Sequence, residues 1–385
     1  MRVLVAPDSF KGSLSSVEVA RALADGWALG RPPDSVRVVP LADGGEGTLE
    51  AVKAADAGWI ELPVHARDPL GRPLRATFLR RGDEGIVELA SASGLSRVEP
   101  SERDAMSAST FGTGLVLAAA IGLGVRSVVI GLGGSATTDG GSGLLTALGA
   151  RLFDDAGRDL EPGGGALSAL ARVDLSEVSE VLSEVRLTVA SDVTNPLLGE
   201  RGAAATYGPQ KGATAAQVAT LERNLTHYAD LLESAAGRSV RDVAGAGAAG
   251  GTTAGLLAIA DRFASFEIRP GVNVLMELTG FSEALADADL VLTGEGRIDE
   301  QTGFGKTAMG VARRAHDAGV QCICFGGGAT PEGISALAPL GAVVVPVVEQ
   351  PMTVEEAMAA GIAPVRRAAQ RTARLVSLTR LVSVK

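Results

Sequence analysis

Short apolar runs alternate with helix-period segments at both ends of this chain, and that alternation constrains the fold more than any other feature. Arg2 to Ala6 reads as a strand, Ser16 to Trp27 as a helix and Val36 to Leu41 as a second strand. Ser15 and Glu18 have capping-box spacing, while Val17, Ala20, Ala24 and Trp27 make a stripe that can pack on a sheet. The unit is βαβ, which joins parallel strands. The pattern returns with strands at Asp289 to Thr293, Gln321 to Phe325 and Ala342 to Val347, separated by helices at Thr307 to Ala318 and Pro331 to Ala338. Continuous apolar runs of this kind suit parallel strands covered on both faces.

At 385 residues the chain exceeds the length one hydrophobic core serves, so two domains are expected. The two ends, residues 1–60 and 286–385, are expected to share one doubly wound α/β sheet, with residues 61–285 inserted as a second α/β domain. Within the insert, Ala76 to Ala90 reads as a hairpin turning at Gly82-Asp83-Glu84-Gly85. This layout sets loops of the two domains opposite each other, and clefts between domains are preferred ligand sites.

A net charge of -10 argues against nucleic acid or anionic membranes as partners and favours a small ligand. The run Leu115 to Val125 is too short to span a bilayer and reads as a buried helix. Met1 to Val5 followed by Asp8 and Lys11 lacks the long apolar stretch of a signal peptide, so no export is expected, and the two cysteines, Cys322 and Cys324, suit the core of a cytoplasmic protein. His65, His227 and His316 belong to no triad or metal pattern. Carboxylates and lysines are left to carry any chemistry.

Glycine, 50 residues or about 13% against roughly 7% ordinarily, is gathered at strand ends, where phosphate-binding loops are built. Lysine is scarce, and Lys11, Lys211 and Lys306 each adjoin a glycine, a setting that suits an ammonium meeting phosphate or carboxylate. Asp8-Ser9-Phe10-Lys11-Gly12 lies past the carboxyl end of the first strand, where open α/β sheets bind ligands. Asp43 and Glu46 flank glycines ahead of a helix starting near Thr48, a place for two carboxylates to hold Mg²⁺ through water.

Gly131 to Ala136 formally satisfies a dinucleotide fingerprint, but Thr137 to Gly143 continues as loop where that fingerprint needs a helix. An anion-binding nest at Gly133, Gly134, Ser135, Thr137 and Thr138 is the preferred reading. Glu295 and Arg297 lie in Gly294 to Asp299, a second polar rim, and Gly303 to Thr307 imitates the end of a Walker A loop without its first glycine. Asp192, ahead of the Asn195-Pro196 turn, is placed to act as a base.

Read together, APDSFKGSLS at 6–15, PLADGGEGT at 40–48, GLGGSATTDGG at 131–141, SDVTNPLLG at 191–199, GPQKGAT at 208–214, GAGAAGG at 245–251 and LTGEGRIDEQTGFGK at 292–306 closely resemble the bacterial two-domain glycerate kinase family. The resemblance runs nearly end to end. It implies a flavodoxin-like domain plus a second α/β domain, and transfer of the ATP γ-phosphoryl group to D-glycerate with Mg²⁺ as helper, the 2-phosphate favoured over the 3-phosphate. By analogy Asp192 is the base, and Lys11 steadies the transferred phosphate or the glycerate carboxylate. Glycerate is assigned to Asp8, Ser9, Lys11, Asn195, Lys211, Glu295 and Arg297. The nucleotide is assigned to Gly133, Gly134, Ser135, Thr137, Thr138 and Lys306, and the metal to Asp43 and Glu46. Monomer and homodimer both remain open. Two other readings stand beside this one: an NAD(P)-dependent oxidoreductase using the Gly131–Ala136 loop, and a non-catalytic binder of small phosphorylated acids.

Overall fold

The computed structural model describes residues 1–300, 302 and 307–382. Its strands, in chain order, are β1 (Arg2–Val5), β2 (Ser35–Val38), β3 (Ile60–Arg67), β4 (Pro73–Arg81), β5 (Glu84–Glu88), β6 (Ser127–Gly131), β7 (Arg151–Asp154), β8 (Leu170–Asp174), β9 (Arg186–Ala190), β10 (Ser265–Arg269), β11 (Leu290–Ile298), β12 (Gln321–Ala329) and β13 (Val343–Pro346). Backbone contacts divide the chain into two compact units, Met1–Asp43 with Glu50–Ala57 and Val272–Lys385, and Gly44–Leu49 with Gly58–Gly271.

The first unit holds a five-stranded sheet in the order β2-β1-β11-β12-β13, with every pair parallel. That is the strand order of a flavodoxin-like doubly wound sheet. The apolar runs produce it because successive side chains leave opposite faces of a strand. Leu4, Val291, Cys322 and Cys324 join one core with Met276, Phe281, Met309 and Ala312. Val3, Val5, Leu292, Ile323 and Phe325 join another with Leu23, Trp27, Val365 and Ala369. Both faces are therefore covered. The thiols of Cys322 and Cys324 are buried and unbridged, 3.9 Å apart.

The helix Ser16–Gly30 begins with the expected capping box between Ser15 and Glu18. Its buried face is rotated from the expected stripe: Val19, Ala20, Leu23 and Trp27 are buried, while Val17 and Ala24 are only half-buried. The rotation follows from its partner, the helix Ala363–Val382, which crosses at Gly26 and Gly30. A Cβ on Gly26 would lie 2.1 Å from the Arg366 carbonyl oxygen, and one on Gly30 2.6 Å from Ala373 Cβ. Three of the expected strands differ in length by several residues. β2 stops at Val38, β11 runs on to Ile298 through glycines that read as a loop, and β12 runs on beside it to Ala329. The extension holds because the backbone opposite is glycine as well, with Glu295 paired to Gly326 and Arg297 to Gly328.

The second unit is built on a six-stranded sheet in the order β10-β9-β6-β5-β4-β3. β10, β9, β6 and β5 are parallel, and β4 and β3 continue the sheet antiparallel. The expected hairpin is β4–β5, with Arg81 opposite Glu84 and Gly82 supplying the positive φ that its two-residue loop requires. The apolar run forms the helix Phe111–Gly122, whose Val116, Leu117 and Ala120 are buried against the sheet core. A second long helix, Ala215–Ala236, starts on a Thr214–Gln217 capping box and ends on left-handed Gly237. No described helix is long and apolar enough to cross a membrane.

Candidate active site

In the second unit the parallel strands β5, β6 and β9 end in residues that carry the site's loops. β6 ends at Gly131, and the chain then runs without a helix until Ser142. A dinucleotide fingerprint needs its helix at the glycines, so the oxidoreductase reading loses its structural basis. The loop Gly44–Gly47 lies directly against Gly131–Gly133. The Gly133 N–H donates to the Gly44 carbonyl at 3.1 Å, and a Cβ on Gly131 or on Gly133 would come within 2.4 Å of that loop's backbone. Gly44 itself has φ +85° and packs on the Ala190 carbonyl at the end of β9. Only glycine permits such an approach of three backbones.

Glu88, the last residue of β5, fixes the shorter loop from below. Its buried carboxylate accepts the backbone N–H of Leu49 at 3.1 Å and a further one from Gly47. Burial pushes its carboxyl up to about 7, with the neighbouring Glu46 charge adding to the rise. The sequence reading passed over Glu88; a carboxylate directly after the apolar pair Ile86-Val87 was its signal.

The longer loop offers less of itself to a ligand than a free nest would. Leu132 N–H donates to Ala190, Ala136 N–H to Ser93 and Gly140 N–H to Gly250. Gly134 is exposed and Gly133 half-exposed, whereas Ser135, Thr137 and Thr138 are buried. Asp139, also missed, is fully buried and gathers the N–H and hydroxyl of Thr110 with the N–H groups of Gly141 and Gly143. Burial raises its proton affinity and those four donors oppose the rise. On the far side the segment Ala249–Gly251 takes three successive left-handed conformations. There a Cβ on Gly250 would stand 1.9 Å from the Thr137 carbonyl oxygen.

Lys211, expected to meet an anionic ligand, is 2% exposed and spends its ammonium on the protein. Nζ donates to Ser135 Oγ at 2.9 Å and to the Thr137 carbonyl at 2.5 Å. Burial lowers its proton affinity to about 7, against the favourable field of Asp139. Asn195 is likewise engaged, donating to the Arg201 carbonyl at 2.7 Å and accepting from the Tyr207 hydroxyl at 3.0 Å. Asp192 is different. It sits exposed just past β9, with Oδ1 accepting the Gly271 N–H at 3.0 Å.

In the first unit the loop after β1 meets the end of β11. Asp8 is held by the Thr307 hydroxyl at 2.5 Å and by the Ser9 N–H at 2.6 Å. Its carboxyl is pushed up to about 7, first by burial and then by the charges of Asp43 and Glu295. Glu295 is buried and accepts a short hydrogen bond from the Thr302 hydroxyl. Gly296 lets the loop close, since a Cβ there would be 3.1 Å from Lys11 N. The Lys11 side chain is exposed, and Arg297 is exposed beside Asp299 at 3.3 Å. Lys306 lies outside the described residues. Among the described residues, no three His, Cys, Asp or Glu side chains come together as a metal cage.

A model of the glycerate kinase family matches residues 3–377. The chain belongs to the glycerate kinase family. A glycerate kinase of Halalkalibacterium halodurans is 42% identical over 96% of this chain and 97% of its own length. The glycerate 2-kinase of Escherichia coli K12 is 43% identical over 82% of each chain. Among solved structures, a Salmonella typhimurium LT2 protein provisionally assigned as glycerate kinase 2 superposes with a TM-score of 0.82 at 41% identity, covering 99% of both chains. Glycerate kinase membership makes this chain a phosphotransferase on the two-domain α/β fold, not an oxidoreductase or a passive binder.

Proposed function

We propose that this kinase transfers the γ-phosphoryl group of ATP to the 2-hydroxyl of D-glycerate, giving 2-phosphoglycerate and ADP. The observation that carries the choice of hydroxyl is the 43% identity to the relative named glycerate 2-kinase. In the transfer the hydroxyl oxygen bonds to the γ-phosphorus, the bond to the β–γ bridging oxygen breaks, and the hydroxyl proton leaves to a base. Little covalent work falls to the protein beyond positioning and charge neutralisation.

Asp192 is our candidate for the base, because it is exposed at a strand's carboxyl end and one backbone N–H orients it. Exposed Lys11 is the candidate partner for phosphate or for the glycerate carboxylate, with Asp8, Ser9, Glu295 and Arg297 around its loop. The exposed backbone at Gly133–Gly134 is the part of the β6 loop best placed to approach ATP phosphates. Mg²⁺, which supplies charge neutralisation in such transfers, takes one or two carboxylates together with phosphate oxygens and water. Asp43 and Glu46, both exposed on the glycine loop ahead of the helix Thr48–Ala55, suit that partial donor set.

A coupled assay with ATP and D-glycerate tests the activity, and phosphorus NMR of the product tests the position. A phosphate on the 2-oxygen is split into a doublet by one proton; a triplet from two protons would mean the 3-phosphate and overturn the choice of hydroxyl.

A further inference from the structure

The glycine loop after β6 is shaped less by its own hydroxyls than by a lysine from elsewhere in the chain. The hydroxyls of Thr137 and Thr138 are buried and find no hydrogen-bond partner. The ammonium of Lys211 instead grips the loop twice, once on each side of Ala136. Lys211 is itself held rigidly, by the tight turn Pro209–Lys211 and by left-handed Gly212, whose Cβ position lies 2.6 Å from the Arg103 carbonyl oxygen.

We propose that Lys211 is a positioning residue that clamps the Ser135–Thr137 arc and so presents Gly133–Gly134 to the phosphates of ATP, setting nucleotide affinity without touching the nucleotide. Three observations support it. Lys211 is buried, with its ammonium directed at the loop. Its two acceptors lie one and three residues beyond the exposed glycine of the loop. A buried ammonium costs free energy, and Asp139, already holding four donors, offsets that cost by its field. A lysine meant only to fill space would be replaced by methionine at no loss to binding. One that shapes the loop would not.

The inference rests on the β6 loop serving ATP in the proposed kinase, and its test reads nucleotide binding apart from turnover. Lys211→Met and Ser135→Ala are each checked for a cooperative melt, then titrated with ATP by calorimetry and assayed for KM and kcat. The expected result is ATP affinity weaker by about tenfold in Lys211→Met and by about threefold in Ser135→Ala, less than the direct loss of a hydrogen bond to a charged group because the effect reaches ATP only through the loop, with KM for D-glycerate within about twofold of wild type. The double variant should bind ATP no worse than Lys211→Met alone, since that variant already lacks the Ser135 contact. Wild-type ATP affinity in a folded Lys211→Met overturns the proposal. So does an equal loss for both substrates. Should Lys211→Met fail to fold, Ser135→Ala decides alone, and unchanged ATP affinity there overturns it. If the wild type binds ATP but leaves D-glycerate unphosphorylated, the kinase reading fails while the binding comparison still judges Lys211.

Discussion

Glu88 holds the Leu49 N–H at 3.1 Å, so a buried carboxylate at the end of a strand caps the start of the helix that follows the Asp43–Gly47 loop. Its carboxyl, ordinarily near 4.5, titrates near 7 in the fold. The folded state therefore keeps a proton there that the unfolded chain releases. Stability from this group is full below the ordinary value and is lost as pH rises through about 7, a change on the order of 3 kcal/mol at most. Glu88→Gln should lessen the fall in melting temperature between pH 4.5 and 8 without abolishing it, because Asp8 and Asp139 are shifted in the same direction. An unchanged profile would show that Glu88 is not the titrating group.

Gly26→Ala tests the helix crossing. With the Arg366 carbonyl only 2.1 Å from the added Cβ, the helix Ala363–Val382 has to move, and overpacking of this sort costs about 1–3 kcal/mol. Denaturant titration should show a lower midpoint with little change in slope. A neutral result would mean that the two helices separate freely.

For Asp192→Asn the expectation is a fall in kcat of about 100-fold or more with an unshifted melt. The side chain is exposed and accepts the Gly271 N–H, and asparagine still offers an oxygen to it. Near-normal turnover would remove Asp192 from the mechanism and move attention to Asp8, whose proton affinity lies near neutrality.

Lys11→Ala should lower kcat/KM for D-glycerate by about tenfold or more, as loss of a charge-assisted contact does. Its exposed side chain makes a folding defect an unsuitable explanation. If kcat and both KM values match the wild type, Lys11 has no part in the site.

The sheet of the first unit was legible because Val3, Leu4, Val5, Val291 and Leu292 are apolar without interruption, and parallel strands covered on both faces demand that. The extension of β11 through Gly294 to Arg297 was not, because a glycine's low strand propensity hides the cross-strand glycines that make the pairing fit. The chemistry-bearing loops could be found by their glycines and charges. What each charge does could not, since Lys11 and Lys211 have the same Lys-Gly neighbourhood in sequence yet one is exposed and the other buried. Burial is decided by chain segments far away, as the Ser135 and Thr137 contacts to Lys211 make plain.

Gly44, Gly131 and Gly133 meet backbone to backbone, with no side chain between them. A saturation-mutagenesis scan should find these positions among the least tolerant in the enzyme, with cysteine and alanine failing as surely as tryptophan. Pairwise exchange cannot repair such a contact, because neither partner has an atom left to give up. Evolution can lengthen, recharge or rebuild what surrounds this junction, but the junction itself is fixed at the smallest residue available, and a library aimed at new acceptor alcohols should leave it alone.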